Sequence, residues 1–224
     1  MNAVPDLSFR VESAQAVPFA AAPVIALKLN VTNADPVEAI HTVVLRCQIQ
    51  LDVTRRQYTP AEQAQMLELF GQPERWSQTL RSMLWTHASV VAPSFTGSTN
   101  IDLHIPCTFD FNIAATKYFH GLHSGDIPLV LMFSGTVFYA DHEGALSVAP
   151  ISWDKETKFR LPLKVWKDMM EAYYPNSVLL SIQKDVFERL HRYKMTHAAA
   201  TWEHAFEMML AECRQTVLQS TVQQ

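Results

Sequence analysis

Residues 39–53 read AIHTVVLRCQIQLDV, with Val43, Leu45, Cys47, Ile49, Leu51 and Val53 at alternate positions and Thr42, Arg46, Gln48, Gln50 and Asp52 between them. Side chains along a strand leave opposite faces in turn, so the first set makes one dry face and the second a wet one, interrupted by Val44. Half-wet strands are the mark of an antiparallel sheet. On the amino-terminal side, VIALKLNV (24–31) sends Ile25, Leu27, Leu29 and Val31 to one face, and the whole stretch from Leu7 to Val53 reads as extended. On the other side, LWTHASVVAP (84–93) and NIDLHIPCTFDFNIAA (100–115) flank the polar loop SFTGST (94–99) and continue the alternation. Within the second of these, Pro106 marks an edge or break, after which Cys107, Phe109, Phe111 and Ile113 alternate with Thr108, Asp110 and Asn112. IPLVLMFSGTVFYA (127–140), ALSVAPISW (145–153) and TKFRL (157–161) complete the predicted strands.

Two regions change period. In YTPAEQAQMLELFG (58–71), Thr59 stands at a helix N-cap, Pro60 at the first helical position and Glu62 at the third, so hydroxyl and carboxylate satisfy each other's backbone donors in a capping box. Gly71 supplies the exit and Pro73 blocks continuation, and Trp76, Leu80 and Met83 suggest a further helical turn. After Leu161, Val165, Trp166, Met169, Met170 and Tyr173 recur at three and four residues, as do Val186, Phe187, Leu190 and Tyr193. A third such run, Trp202, Phe206, Met209, Leu210, Cys213 and Val217, begins behind a Thr201 cap. Strands first and helices last predict an α+β fold: a mainly antiparallel β-sandwich or curved sheet with a helical insertion near residues 59–83 and carboxyl-terminal helices packed on it. The expected division is a β-rich part, 1–161, and a helical segment, 162–224, belonging to the same domain.

Composition narrows the function. At 224 residues, 48% hydrophobic and 18% charged, the chain can bury a core without metal or disulfide staples. A net charge of −4 with no continuous basic stripe argues against nucleic acid as a partner. Cys47, Cys107 and Cys213 lie 60 and 106 residues apart, an odd set that suits a reducing compartment. The amino-terminal MNAVPDLSFRVES lacks a basic start and apolar run, and no span-length apolar stretch follows, so the cytoplasm is the expected location, with no membrane span. Motifs for dinucleotide, nucleotide, zinc-protease, nucleophile-elbow and calcium sites do not occur.

The stretch KYFHGLHSGD (117–126) is the one local concentration of reactive side chains. Ligands three apart meet on a helix but oppose one another on a strand, and the strands expected on both sides make HSGD a hairpin connection, with Gly125 free to take a positive φ. Neither a metal nor another cofactor is therefore expected. Candidate contact groups for a partner are Phe95 in its loop, Tyr118, His120 and His123 in the turn, and exposed parts of the last helices. A pocket between sheet and helices would instead draw on His120, Asp110 and Trp153. No catalytic residue is assigned.

YTPAEQAQMLELFGQPERWSQTLRSMLWTH, FTGST, CTFDF, ATKYFH, FSGTVFY, ISWDKE and WKDMMEAYYPNS together resemble an uncharacterised bacterial family, one known as a domain of unknown function, from about Phe9 to the helix near Trp202. The resemblance transfers no catalytic residue. Relatives are encoded near actinobacterial-type nickel-iron hydrogenase genes, which implies an accessory role in hydrogenase assembly or operation. The cysteines stand singly, unlike the paired thiolates of hydrogenase metal sites. The leading expectation is thus a non-enzymatic, protein-binding accessory protein whose partner is another protein, a hydrogenase-related one on the family resemblance. The alternatives are a small-ligand binder or enzyme and, more remotely, a client binder like the export chaperones.

Overall fold

The computed structural model describes residues 4–108, 110, 112–141, 143–178 and 180–222, with side chains to residue 214. The chain divides into two compact units, 1–177 and 178–224.

The first unit is a β-sandwich. One sheet has three strands in the order β1 (Leu7–Ala16), β2 (Val24–Asn33), β6 (Ser98–Pro106). The other has six: β4 (Met83–Ala92), β3 (Ala39–Leu51), β7 (Asp126–Ala140) and β8 (Leu146–Pro150) in that order, with the short β5 (Phe95–Thr96) on β3 and β9 (Glu156–Pro162) on β7. Every pairing is antiparallel. The alternation predicted for β3 is realised: Val43, Leu45, Cys47, Ile49 and Leu51 are fully buried, while Arg46 is exposed and Gln48 and Gln50 are half-buried. Burying each large aliphatic contributes on the order of 1.5–3 kcal/mol, which offsets the entropy of ordering the chain. The two inner faces meet at a stacked pair, Phe9 of β1 on Phe133 of β7, with centroids 4.3 Å apart. The sheets also approach along both sides, β4 along β6 and β9 along β1.

At the centre of the larger sheet Gly135 of β7 lies opposite Leu45 with φ 147°, and a Cβ there would fall 2.0 Å from the Val44 carbonyl oxygen. Only glycine fits that approach.

Short helices close one end of the sandwich. The insertion between β3 and β4 holds α1 (Pro60–Gln65), α2 (Leu67–Phe70) and α3 (Trp76–Thr79), with the Thr59–Glu62 capping box formed and Gly71 at φ 71°. Met83, expected on a helical turn, instead begins β4. After β9, α5 (Leu163–Tyr173) packs on β1, β2 and β9 and buries Trp166, Met169 and Met170, the apolar stripe seen in the sequence.

One expectation fails. Residues 113–121 are not strand and hairpin but a helix, α4 (Ile113–Gly121), whose N-cap Asn112 accepts the Ala115 N–H at 3.0 Å. Ala115, Tyr118, Phe119 and Leu122 are buried at helical spacing, and this burial overrides the alternation extrapolated from β6. Phe109 and Phe111, expected to continue that strand, lie outside the described residues. HSGD is still a connection, from helix to strand, with Gly125 at φ 84°.

The second unit contains α6 (Lys184–Thr196) and α7 (Trp202–Val222); Thr201 Oγ1 accepts the His204 N–H at 3.2 Å, as its predicted cap role requires. Val217 lies beyond the described side chains. The unit boundary after Ser177 leaves α5 with the strands. No helix among the described residues is long and apolar enough to cross a membrane.

Candidate functional site

The densest polar cluster forms where β3 leaves the sheet. A single 3-10 turn, Val53–Arg55, swings the chain so that Arg56 points inward, its side chain only 10% exposed. Its Nη2 donates to Glu62 Oε1 at 2.9 Å and to the Ser124 carbonyl at 2.5 Å, and its Nη1 donates to the Asp126 carbonyl at 2.5 Å. The same Glu62 carboxylate accepts the His123 N–H at 2.9 Å and the Thr59 N–H at 3.0 Å. One ion pair therefore ties the β3 exit, the start of α1 and the α4–β7 loop together. Gly125 permits the approach, since a Cβ there would meet Arg56 Nη1 at 3.2 Å. Arg56 Nε is buried without a hydrogen-bond partner. Beside the pair, the Tyr58 hydroxyl donates to the Val53 carbonyl at 2.8 Å and lies 3.0 Å from the Tyr118 hydroxyl. An open depression of about 620 Å³ lies over the cluster, its walls including Arg55, Tyr58, Glu62, Gly125, Asp126 and Arg160.

The protonation states decide what this cluster can do. Burial alone would raise the Glu62 carboxyl, but the His123 and Thr59 N–H donors and the Arg56 guanidinium pull it down to about 2. Burial also pushes the Tyr58 and Tyr118 hydroxyls up, so both stay protonated. Efficient proton transfer needs a group that titrates near the working pH, and these three are held far from it. Burial pushes the thiols of Cys47 and Cys107 up to about 12, which removes the thiolate a nucleophile needs. By its geometry the cluster is a latch that joins the β3 exit, the start of α1 and the α4–β7 loop.

The residues singled out in the sequence scatter around this latch. Tyr118 is fully buried on α4 and belongs to the core, so it offers no surface to a partner. His120 is on the exposed side of α4, its ring 4.9 Å from that of Trp166; burial, then Lys167, holds its imidazole below the usual range. His123 contributes backbone only: its N–H to Glu62 and its carbonyl to Lys167 Nζ at 3.0 Å. Phe95 is half-buried on β5, opposite Ile40. Asp110 is exposed in the turn before α4, and Trp153 is 93% exposed between β8 and β9. Among the described residues no three His, Cys, Asp or Glu side chains are placed to hold a metal ion.

A larger feature is the outer face of the six-stranded sheet. Register sets Val91 of β4 beside Val44 of β3, and Phe138 of β7 beside Val148 of β8. Val44, Val91, Leu146 and Val148 are 41, 61, 66 and 57% exposed. Farther along the same face Arg46, Gln48, Gln50 and His87 follow, then Lys158 and Arg160 on β9. Half of this face is therefore greasy and half polar, with the five-residue β8 as an edge strand bordering the greasy half. Sequence reading set Val44 aside as an interruption of a wet face. The same outward valine recurs in ASVVAP and ALSVAP, a signal visible only once the strands are laid side by side.

Fold and site define an α+β protein: an antiparallel β-sandwich with a latched helical end and a partly apolar outer sheet face. The chain belongs to a family of unknown function, DUF6084, whose sequence profile matches residues 4–218. No curated protein matches it. Among solved structures it is similar to a protein described as ApaA from Bordetella pertussis (16% identity, 70% of this chain and 95% of that one, TM-score 0.26). It is also similar to a protein described as late embryogenesis abundant (16% identity, 71% and 72% covered, TM-score 0.32). A third is β-glucosidase 3B from Thermotoga neapolitana in complex with α-D-glucose (10% identity, 70% and 17% covered, TM-score 0.24). Scores this low carry no argument about function.

Proposed function

We propose that the protein is a non-enzymatic binding protein that holds another polypeptide on the outer face of its larger sheet. The observation that carries this reading is a set of outward apolar side chains, Val91 beside Val44 and the half-buried Phe138 beside Val148, with Thr42 and Thr136 between the two pairs, on one sheet face. Exposed apolar groups gathered on one face mark interaction sites, and an edge strand beside them offers backbone donors and acceptors to an extended segment. The latch chemistry supports the same reading, because its titratable groups are fixed in single protonation states. A nickel-iron hydrogenase subunit or assembly factor is the partner proposed, on the family resemblance and gene neighbourhood alone.

The test is affinity purification of tagged protein from its native host with mass spectrometry of what is retained, comparing wild type with a Val91→Asp, Val148→Asp double variant. Both positions are exposed, so melting should be unchanged to within about 1 kcal/mol. A companion retained near stoichiometrically by wild type and lost by the variant is the expected result. Equal recovery by the two, or no companion with wild type, contradicts the proposal.

A further inference from the structure

The α6–α7 unit raises a separate question. In its described side chains, residues 178–214, only Ala199 and Ala205 are buried. Two alanines cannot hold a helical hairpin, since even 40–70-residue scaffolds with a full core are marginal. Val186, Leu190, Trp202 and Met209 are only half-buried, and other large apolar groups face solvent. Phe187 is 44%, Phe206 37% and Leu210 59% exposed. Trp202 joins the first two into one stripe across both helices, with ring centroids 5.4 Å from Phe187 and 6.0 Å from Phe206.

Charge indicates what covers the stripe. Helix α6 carries four cations, Lys184, Arg189, Arg192 and Lys194, against two acids, Asp185 and Glu188. Helix α7 carries three acids, Glu203, Glu207 and Glu212, against one cation, Arg214. In a two-fold pair of hairpins with the stripes facing and the axis running along the helices, each α6 lies between two α7 helices and each α7 between two α6 helices. Every neighbouring pair around such a four-helix bundle then has opposite charge, while the aromatic stripe becomes its core. An equally basic or equally acidic pair of helices would repel in that arrangement. We propose that the protein self-associates through residues 184–214, a second copy of the α6–α7 hairpin covering the Phe187–Trp202–Phe206–Leu210 stripe.

Sedimentation velocity on the full chain tests this. Wild type at about 100 μM should sediment near twice the 25.4 kDa chain mass, and Leu210→Glu should weaken association at least ~30-fold, the effect of truncating a buried interface anchor. Two charge-reversed proteins sharpen it: Glu203→Lys with Glu207→Lys makes both helices basic, and Arg189→Glu with Arg192→Glu makes both acidic. Each alone should be monomeric, and an equimolar mixture should dimerise. Monomeric wild type, or dimerisation unaffected by Leu210→Glu, overturns the proposal; a mixture that stays monomeric overturns the alternating arrangement of helices.

Discussion

Helix α5 and the α6–α7 hairpin are written in the same periodic code and meet different fates. In α5 the three- and four-residue spacing puts Trp166, Met169 and Met170 under the surface at 1–6% exposure, with strands β1, β2 and β9 as the covering layer. In α6 and α7 it leaves Phe187, Phe206 and Leu210 at 37–59%. Amphipathic spacing fixes which face is apolar but carries no information about what the face will meet. For α5 the answer is in the same unit. For the hairpin the proposed answer is a second copy.

The sharpest way to break the contrast is to attack the sandwich where it has no slack. Gly135→Ala places a Cβ 2.0 Å from the Val44 carbonyl in the central strand pair, and should cost at least about 3 kcal/mol in urea unfolding or prevent folding. Arg56→Met should cost about 3–5 kcal/mol, because it leaves the Glu62 carboxylate buried without its cation. Phe206→Ala, by contrast, should lower the unfolding free energy of the monomer by less than about 1 kcal/mol, since the ring is already part-exposed.

Glu62 is held at about 2 in the fold against an ordinary 4.5, so the unfolded chain binds this proton more readily than the folded one. Its stabilisation, up to about 3 kcal/mol, is fully present above about pH 4.5 and is lost as pH falls towards 2. Denaturant midpoints measured across that window should fall for wild type and fall less for Glu62→Gln, which starts lower at neutral pH. The smallest effect concerns His120. Its imidazole, followed by NMR, should titrate below the ordinary 6.5, and Lys167→Gln should move the midpoint upward.

Much of this was legible in the sequence because it is local. The alternation in 39–53, the Thr59–Glu62 capping box and the Trp166–Met169–Met170 stripe each depend on residues within a turn or two, and each is realised. α4 was missed because the alternation of β6 was carried past Pro106, although Asn112 followed by Ala115, Tyr118, Phe119 and Leu122 has both the cap and the helical spacing. The latch was out of reach for a different reason. Arg56 finds Ser124 and Asp126 some 70 positions away, and nothing near Arg56 announces it. The outer face had the same obstacle, since Val44 meets Val91, and Phe138 meets Val148, only through register.

The proposal places the binding surface on the outer sheet face and not at the latch. A photo-crosslinking residue placed at Val91 or Val148, and in a parallel strain at Ser124 beside the latch, tests it directly in the native host. One discrete polypeptide adduct from positions 91 and 148 and none from 124 is expected; adducts from 124 with none from 91 or 148 would rule the outer face out.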